Sequence, residues 1–533
     1  MTTHSPLARR LARPAAGLAL AGALFGAGCQ SLDVVNQNSP AIEGVFSNAE
    51  NIEAALIGGW RTLWGVTQGS GSNATYPMIN LSVWGNELTT ADAGPMEVTQ
   101  EPRPAIDNRN QGGWYNRKPW YDVYAVIATG RDVFRSIERN NLELGAITPE
   151  APNGADTPRA KVFAKFLMGV GNVYIGLLFD QCFPYDIDDD PQRYDYTLRP
   201  YTACLDKGRE LLRSAIADAK AAPNFTLPTT WVNGNPLTRD ELVRVMYSYL
   251  VRSYAYAPRT PTERAAVNWQ QMLTLMDSGI TSNFFQLADN TISATASAYY
   301  QYSYLQTNGR TNNRLIGPAD TSGAYQAWLN TPLDQRDAFL VQSPDRRISN
   351  GTTSGTAQPA APARFARPAS QTMTAVRGTY MRSNYHNIRY RRPPALNYHS
   401  TGGQIFTMTT DEFKFLRAEA LFRLNRRAEV PALLNPTRTA SGLQPVTVDG
   451  PPPGPLCVPR KNDGTCGDLW DALMYEKRID LFPTEAIIAY ADQRGWGRLL
   501  PGTPIDLPVH GRELETLGLP YYTTGGAAGR GAP

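Results

Sequence analysis

Cysteine and histidine are scarce, with five cysteines and four histidines among 533 residues. No C-x-x-C pair occurs, and none of His4, His386, His399 and His510 lies near a cysteine, so the chain lacks the spacing of a Cys/His zinc site. Catalytic signatures are missing as well. There is no H-E-x-x-H, no G-x-S-x-G, no P-loop and no G-x-G-x-x-G between a strand and a helix. The chain therefore reads as a non-enzyme with no cofactor and no metal; a glycosidase, which needs only two suitably placed carboxyl groups, is the catalytic reading left open. Charge of one sign is also lacking. Lys plus Arg number 51 and Asp plus Glu 48, and Arg9, Arg10 and Arg13 supply the whole excess. An even, dispersed balance argues against nucleic acid, whose binding rests on clustered cations. The run Arg389-Tyr390-Arg391-Arg392 is too short to change that and reads as a solvated face. Beyond residue 28 no stretch has the roughly 18 consecutive apolar residues of a membrane span.

What is present begins with Leu7–Cys29. Three arginines precede an uncharged run of Ala, Gly, Leu and Phe, as in an export signal, and the run is too short and glycine-rich for a spanning helix of about 20 residues. Its end, Gly26-Ala27-Gly28-Cys29, resembles the lipobox of bacterial lipoproteins, which usually carries Leu where Gly26 stands. The resemblance implies that residues 1–28 are a signal peptide and that Cys29 is the lipidated first residue of the mature chain. Residues 29–46 then read as a tether. Gln30, rather than Asp, follows the cysteine, which points to the outer membrane. With Cys29 set aside, Cys182, Cys204, Cys457 and Cys466 remain, an even number that suggests two disulfides in an exported chain. Three connectivities are open. Cys457–Cys466, closing a Gly/Lys/Asn/Asp loop, and Cys182–Cys204, tying one expected helix to the next, are the favoured pairs.

Helical periodicity dominates the rest. Ser47-Asn-Ala-Glu50 reads as a capping box before a helix of about four turns. Residues 67–119 read as irregular and aromatic, and a helix returns with Val123, Ile127, Phe134 and Ile137. Thr157-Pro158 reads as N-cap and first-turn proline for the strongest helix, from Val162 to Leu178. Gly169, Gly171, Gly176 and Ala164 lie where neighbouring helices can approach closely. Amphipathic helices follow over about 204–219, from a Thr238/Glu241 capping box, and over 265–277. From 283 to 405 the chain reads as irregular and rich in tyrosine, with Ser349–Ser370 a surface loop. Thr409-Thr-Asp-Glu412 caps another helix, and a last long helix runs from Asp468 to about Tyr490. The fold class is all-α, stacked helical hairpins of tetratricopeptide type with a large irregular, aromatic-rich loop region.

Three segments carry a family resemblance: AKVFAKFLMGVGNVYIGLLFDQCFPY, FKFLRAEALFRL and LWDALMYEKRIDLFPTEAIIAYADQRGWGRLLPGTPIDLPV. Together with Cys29 and Leu32-Asp33, their order and spacing resemble the RagB/SusD family of nutrient-uptake outer-membrane lipoproteins. Departures are Lys165-Phe166 where an Arg-Ala pair is common, and Tyr490-Ala491-Asp492 before Gln493-Arg494. The resemblance implies a single SusD-like domain over 47–533, with helical repeats mainly in 47–280 and 405–495 and an irregular ligand-side region over about 283–405. It implies a lid that captures oligosaccharide or peptide outside the cell and delivers it to a SusC-like TonB-dependent outer-membrane transporter. An exported scaffold for protein partners and a secreted glycan hydrolase are the alternatives.

Sugar recognition needs flat apolar faces and a few placed polar groups. Trp84, Asn86 and Glu87 in the first irregular segment and Tyr299, Tyr300 and Tyr302 in the second supply those types, and they are the candidate ligand contacts. Asp186-Ile-Asp188-Asp189-Asp190 has D-x-D-x-D spacing, but Pro191 replaces the turn glycine and Thr197 the bidentate Glu, so it reads as a solvated acidic turn. Glu476, Arg478, Asp480, Glu485, Asp492 and Arg494 read as ion pairs locking helix to helix.

Overall fold

Thr157–Leu178 is the helix around which the others are laid. Its most apolar stretch would suit a bilayer by length and composition, yet 94% of that stretch is buried by protein. The computed structural model describes residues 48–69, 77–90, 100–109, 114–149, 152–288, 297–304, 309–354, 359–369, 373, 378–390 and 403–526, all within the unit Phe46–Pro533. The export signal, Cys29, the tether 30–46, Ser47 and the pair Arg391-Arg392 lie outside the described residues.

Among the described residues, the helices of eight residues or more are α1 (Ala49–Gln68), α2 (Pro77–Trp84), α3 (Trp114–Arg139), α4 (Thr157–Leu178), α5 (Tyr201–Ala221) and α6 (Arg239–Ala255). They continue with α7 (Trp269–Asp277), α8 (Thr410–Arg423), α9 (Val430–Ala440), α10 (Leu469–Leu481) and α11 (Ala486–Gly495). Consecutive helices from α3 to α8 pack on one another, α1 lies on α3 and α4, and α8 carries α9 and α10. The strands are short and paired two or three at a time, so this is a helical scaffold with minor sheet. Close approach around α4 depends on missing side chains. A Cβ on Gly130 of α3 would strike the Ala164 carbonyl and come within 2.7 Å of Met168 Cγ, and one on Gly208 of α5 would lie 2.8 Å from the Gly169 carbonyl oxygen.

Several boundaries differ from the sequence reading. Helix α1 runs 20 residues from an Asn48 cap, whose side chain accepts from Asn51 N. Residues 67–119 contain α2, every residue of which is buried, and the start of α3; a short helix buried on every side gives no periodic contrast to read. Asp156, not Thr157, precedes α4, because the Thr157 hydroxyl serves the Asn153 carbonyl and the Leu144 amide instead. The last long helix is two helices, α10 and α11, parted at Phe482-Pro483, since the residue before proline is turned away from helical backbone. Strands Ile348–Thr353 and Phe365–Pro368 pair in parallel within the expected loop Ser349–Ser370, and Phe365 is buried.

Disulfides join Cys182 to Cys204 and Cys457 to Cys466. Of the charged residues expected to lock helix to helix, Glu476, Asp480, Glu485, Asp492 and Arg494 are buried and Arg478 is half-buried. Arg252 of α6 donates to Glu412 of α8 at 2.7 Å and to Glu485 at 2.7 Å. Arg264 bridges Glu419 at 2.6 Å and Asp492 at 3.0 Å. Arg347 joins Asp345, Glu476 and Asp480, and Arg438 also reaches Glu476, at 2.9 Å. Arg494 instead donates to the carbonyls of Tyr256, Pro258 and Ile505. A buried ion pair repays its desolvation only when its remaining hydrogen bonds are made, as they are around Glu412, which also accepts from the Tyr256 hydroxyl.

Candidate functional site

The six residues singled out from the sequence lie inside the protein, between 0 and 7% exposed. Trp84 ends α2 and tilts against Tyr490 at 5.8 Å. Asn86, in a left-handed turn, accepts from Arg103. Glu87 accepts from the Tyr299 hydroxyl at 2.6 Å and from Ser82 at 3.2 Å. Tyr300 meets Tyr390 edge to face, in an apolar cluster with Trp64, Ile388 and Ile405. Tyr302 joins the main core. The structure thus brings Glu87 to Tyr299 across 212 positions of chain and uses all six as packing, with no ring face open for stacking on a sugar. Burial pushes the Glu87 carboxyl up to about 8, against the hydrogen bond from Tyr299 and the charge of Arg478.

Open aromatic faces occur elsewhere. On α3, Trp120, Tyr121, Tyr124, Ile127, Ala128 and Arg131 share one helical stripe and form one wall of a cleft of about 230 Å³. The opposite wall is Phe183, Tyr185, Pro191 and Tyr196. These come from the segment between α4 and α5, whose ends are joined by the Cys182–Cys204 disulfide and by antiparallel pairing of Gln181–Cys182 with Arg199–Pro200. The Tyr124 hydroxyl accepts from Phe183 N at 2.7 Å, fixing one wall to the other. Tyr185 stacks on Tyr194 at 4.2 Å between centroids, and Trp120 meets Phe183 edge to face at 5.9 Å. Tyr121 and Tyr196 are each 41% exposed. The polar groups are few. Arg131 pairs with Asp132, and Glu513, from the short helix Gly511–Thr516, has a carboxyl that burial raises above its ordinary range, against hydrogen bonds from Trp120 and Tyr121. A mostly apolar, aromatic cleft with one carboxyl acceptor suits a sugar ring and its hydroxyls.

A second cleft, of about 510 Å³, lies where the Cys457–Cys466 loop meets α10. Pro459, Lys461 and Asp463 form one side, Asp468, Trp470, Asp471, Met474 and Arg478 the other, with Leu315, Pro318, Gln493 and Arg498 completing it. Arg460 holds the loop closed by donating to the carbonyls of Gly464 and Pro455. Its backbone N donates to the Pro318 carbonyl at 2.7 Å.

The acidic turn holds itself together. Asp189 accepts from Asp186 N, Asp190 from Gln192 N, and Asp186 pairs with Lys207 at 2.5 Å. Among the described residues no group of three or more His, Cys, Asp or Glu could hold a metal ion.

Sequence reasoning missed the aromatic cleft. Its signals were W-Y-x-x-Y on one helix and F-P-Y followed by Y-x-Y between two cysteines.

No protein-family profile matches the chain, and no curated protein matches it in sequence. Solved structures do. A SusD homolog from Bacteroides thetaiotaomicron is similar at 12% identity with a TM-score of 0.52, covering 90% of this chain and 98% of that one. A laminarin binding SusD-like protein is similar at 11% identity with a TM-score of 0.51, over 89% of this chain and 99% of its own. A SusD superfamily protein from Bacteroides vulgatus is similar at 12% identity and a TM-score of 0.51, over 88% and 93%. At such identities the likeness is one of fold, and the chain has the SusD-like fold.

Proposed function

We propose that this chain captures oligosaccharide at the cell surface as a lipid-anchored outer-membrane protein and delivers it to a TonB-dependent transporter. The observation that carries the reading is the aromatic cleft, whose exposed rings Tyr121 and Tyr196 stand beside the single carboxyl of Glu513. Stacking on ring faces supplies affinity, and the Glu513 carboxyl, beyond its bonds from Trp120 and Tyr121, has lone pairs left to accept from a sugar hydroxyl. Its position on a SusD-like fold, similar over most of its length to a protein described as laminarin binding, favours a glycan over a protein ligand. The anchor rests on Leu7–Cys29, with residues 29–46 as tether and the remainder as one binding domain. Capture needs no bond to be broken, and the chain is proposed as a carrier rather than a hydrolase.

Two measurements test this. Titration calorimetry with a panel of neutral oligosaccharides, laminarin fragments among them, is expected to show binding that Tyr121→Ala and Tyr196→Ala each weaken by about tenfold, the scale of one lost ring contact. Binding unchanged in both variants would remove the cleft from the function. In cells, the protein is expected in the outer-membrane fraction with a β-barrel of transporter size co-purifying. Cys29→Ala should release it. Continued membrane association of that variant would refute the anchor.

A further inference from the structure

The larger cleft has an unusual charge arrangement. Arg478, whose side chain reaches its base, donates to three backbone carbonyls, those of Arg314, Gly85 and Asn86, rather than to a carboxylate. With the Gln493 amide oriented to satisfy both its groups, Arg478 Nε donates to it at 2.8 Å. Burial without a close anion draws the guanidinium down to about 10. The carboxyl that most opposes this, Glu87, is itself raised to about 8, so it is largely neutral at pH 7. Above Arg478, two carboxylates serve two cations: Asp471 lies 3.0 Å from Arg498 and 3.6 Å from Lys461, and Asp468 lies 3.9 Å from Lys461. Asp471 is also committed to the helix start, where its side chain accepts from Asp468 N while Asp468 accepts from Asp471 N. Asp463 is turned to Thr465. Asp468, Lys461 and Arg498 are all open to water, 57, 42 and 52% exposed on their side chains, and the cleft lining carries the four cations Arg460, Lys461, Arg478 and Arg498 against the three carboxylates Asp463, Asp468 and Asp471.

We propose that this cleft is an acidic-sugar subsite, in which Lys461 and Arg498 take the carboxylate of a uronate residue above the Arg478 charge. The assignment rests on the oligosaccharide capture argued above and names a substrate class for it. The volume, about 510 Å³, accommodates more than one sugar unit. Arg498 offers a planar fork to a carboxylate and Lys461 a point charge, and an exposed pair of this kind weakens with salt.

Calorimetry on the detergent-solubilised full chain tests the subsite, with hexamers of galacturonate and mannuronate, their methyl esters, and a neutral glucose hexamer as probes. The acid hexamers are expected to bind, and esterification, high salt or the double substitution Lys461→Gln/Arg498→Gln should each weaken them about tenfold or more. Both positions are exposed, Asp471 keeps the hydrogen bond from Asp468 N, and each Gln still offers it an amide donor, so the variant should melt within a few degrees of the parent, and the glucose hexamer should bind it unchanged. Methyl esters binding as tightly as the acids, or a double variant that keeps the acids at parental affinity, would overturn the proposal. So would binding of acidic peptides with no binding of either uronate. Neutral binding that persists while the uronates show none would sink the acidic subsite and leave the carrier function standing; absence of all oligosaccharide binding would sink both.

Discussion

Glu87→Gln should make the protein more stable in alkali than the parent, by an amount that depends on pH. The carboxyl is 3% exposed and accepts from Tyr299 and Ser82 through one oxygen. Burial raises it from 4.5 to about 8. In the unfolded chain the group loses its proton near its ordinary value, whereas in the folded protein it keeps that proton to about pH 8. Between those limits the folded state binds more protons, so its stability falls as pH rises. Below the lower limit Glu87 contributes no pH dependence; above the upper limit the whole cost is present. At about 1.36 kcal/mol per pH unit, the interval corresponds to an upper bound of about 4–5 kcal/mol. An amide keeps the shape and the acceptor oxygen and cannot ionise. Guanidinium unfolding followed by tryptophan fluorescence should find parent and variant within about 1 kcal/mol of each other at pH 5, with the variant gaining steadily to an advantage of about 3–5 kcal/mol by pH 9. A difference that does not change with pH would refute the reasoning. A constant advantage of the parent from pH 5 to pH 9 would show instead that Glu87 is ionised and held by Arg478, since a lowered carboxyl changes stability only below its ordinary value.

Gly130→Ala places a methyl group against the Ala164 carbonyl and Met168 across the α3–α4 contact; thermal unfolding should drop by several degrees, for a cost of about 1–3 kcal/mol, and an unchanged midpoint would mean that the helices can separate freely. Arg252→Met leaves Glu412 and Glu485 buried without their shared cation, and denaturation should show a loss of about 3–5 kcal/mol. A loss below about 1 kcal/mol would place this pair in the class of screened surface bridges.

The helical scaffold was legible where side-chain size or capping chemistry admits one solution. The small residues of α4 lie where α3 and α5 press closest, and the Thr238/Glu241 box opens α6 with both of its hydrogen bonds made. Legibility failed where pattern and backbone disagree. From Ile479 through Phe482 to Ala486 and Ile487 the apolar period continues, yet Pro483 cannot donate to the helix ladder and turns Phe482 to extended backbone. Hydrophobic spacing records which side chains face the core and is silent on whether one helix or two present them. In the same way, buried strand Phe365–Pro368 hides in a Gly/Ser/Ala-rich stretch, because its partners Ile348–Thr353 and His386–Asn387 are defined only once the chain has folded.

The residues of the proposed site were less legible for a related reason. Tryptophan, tyrosine, asparagine and glutamate are what a glycan site needs, and they are also what a large core uses to fill volume while satisfying polar atoms. Glu87 and Tyr299 bond to each other, and that mutual bond permits their burial. The aromatic cleft shows the opposite arrangement. Tyr124 is spent on the Phe183 backbone and Tyr185 on Tyr194, while Tyr196 meets Phe183 and Tyr194 edge to face, Tyr121 meets His510, and both keep a face in water. A ring keeps an open face only when other groups do the holding, and for Tyr196 the disulfide-closed segment between α4 and α5 supplies them. The α3 stripe and that segment form a site only as a pair, which is why neither stands out when the sequence is read one stretch at a time.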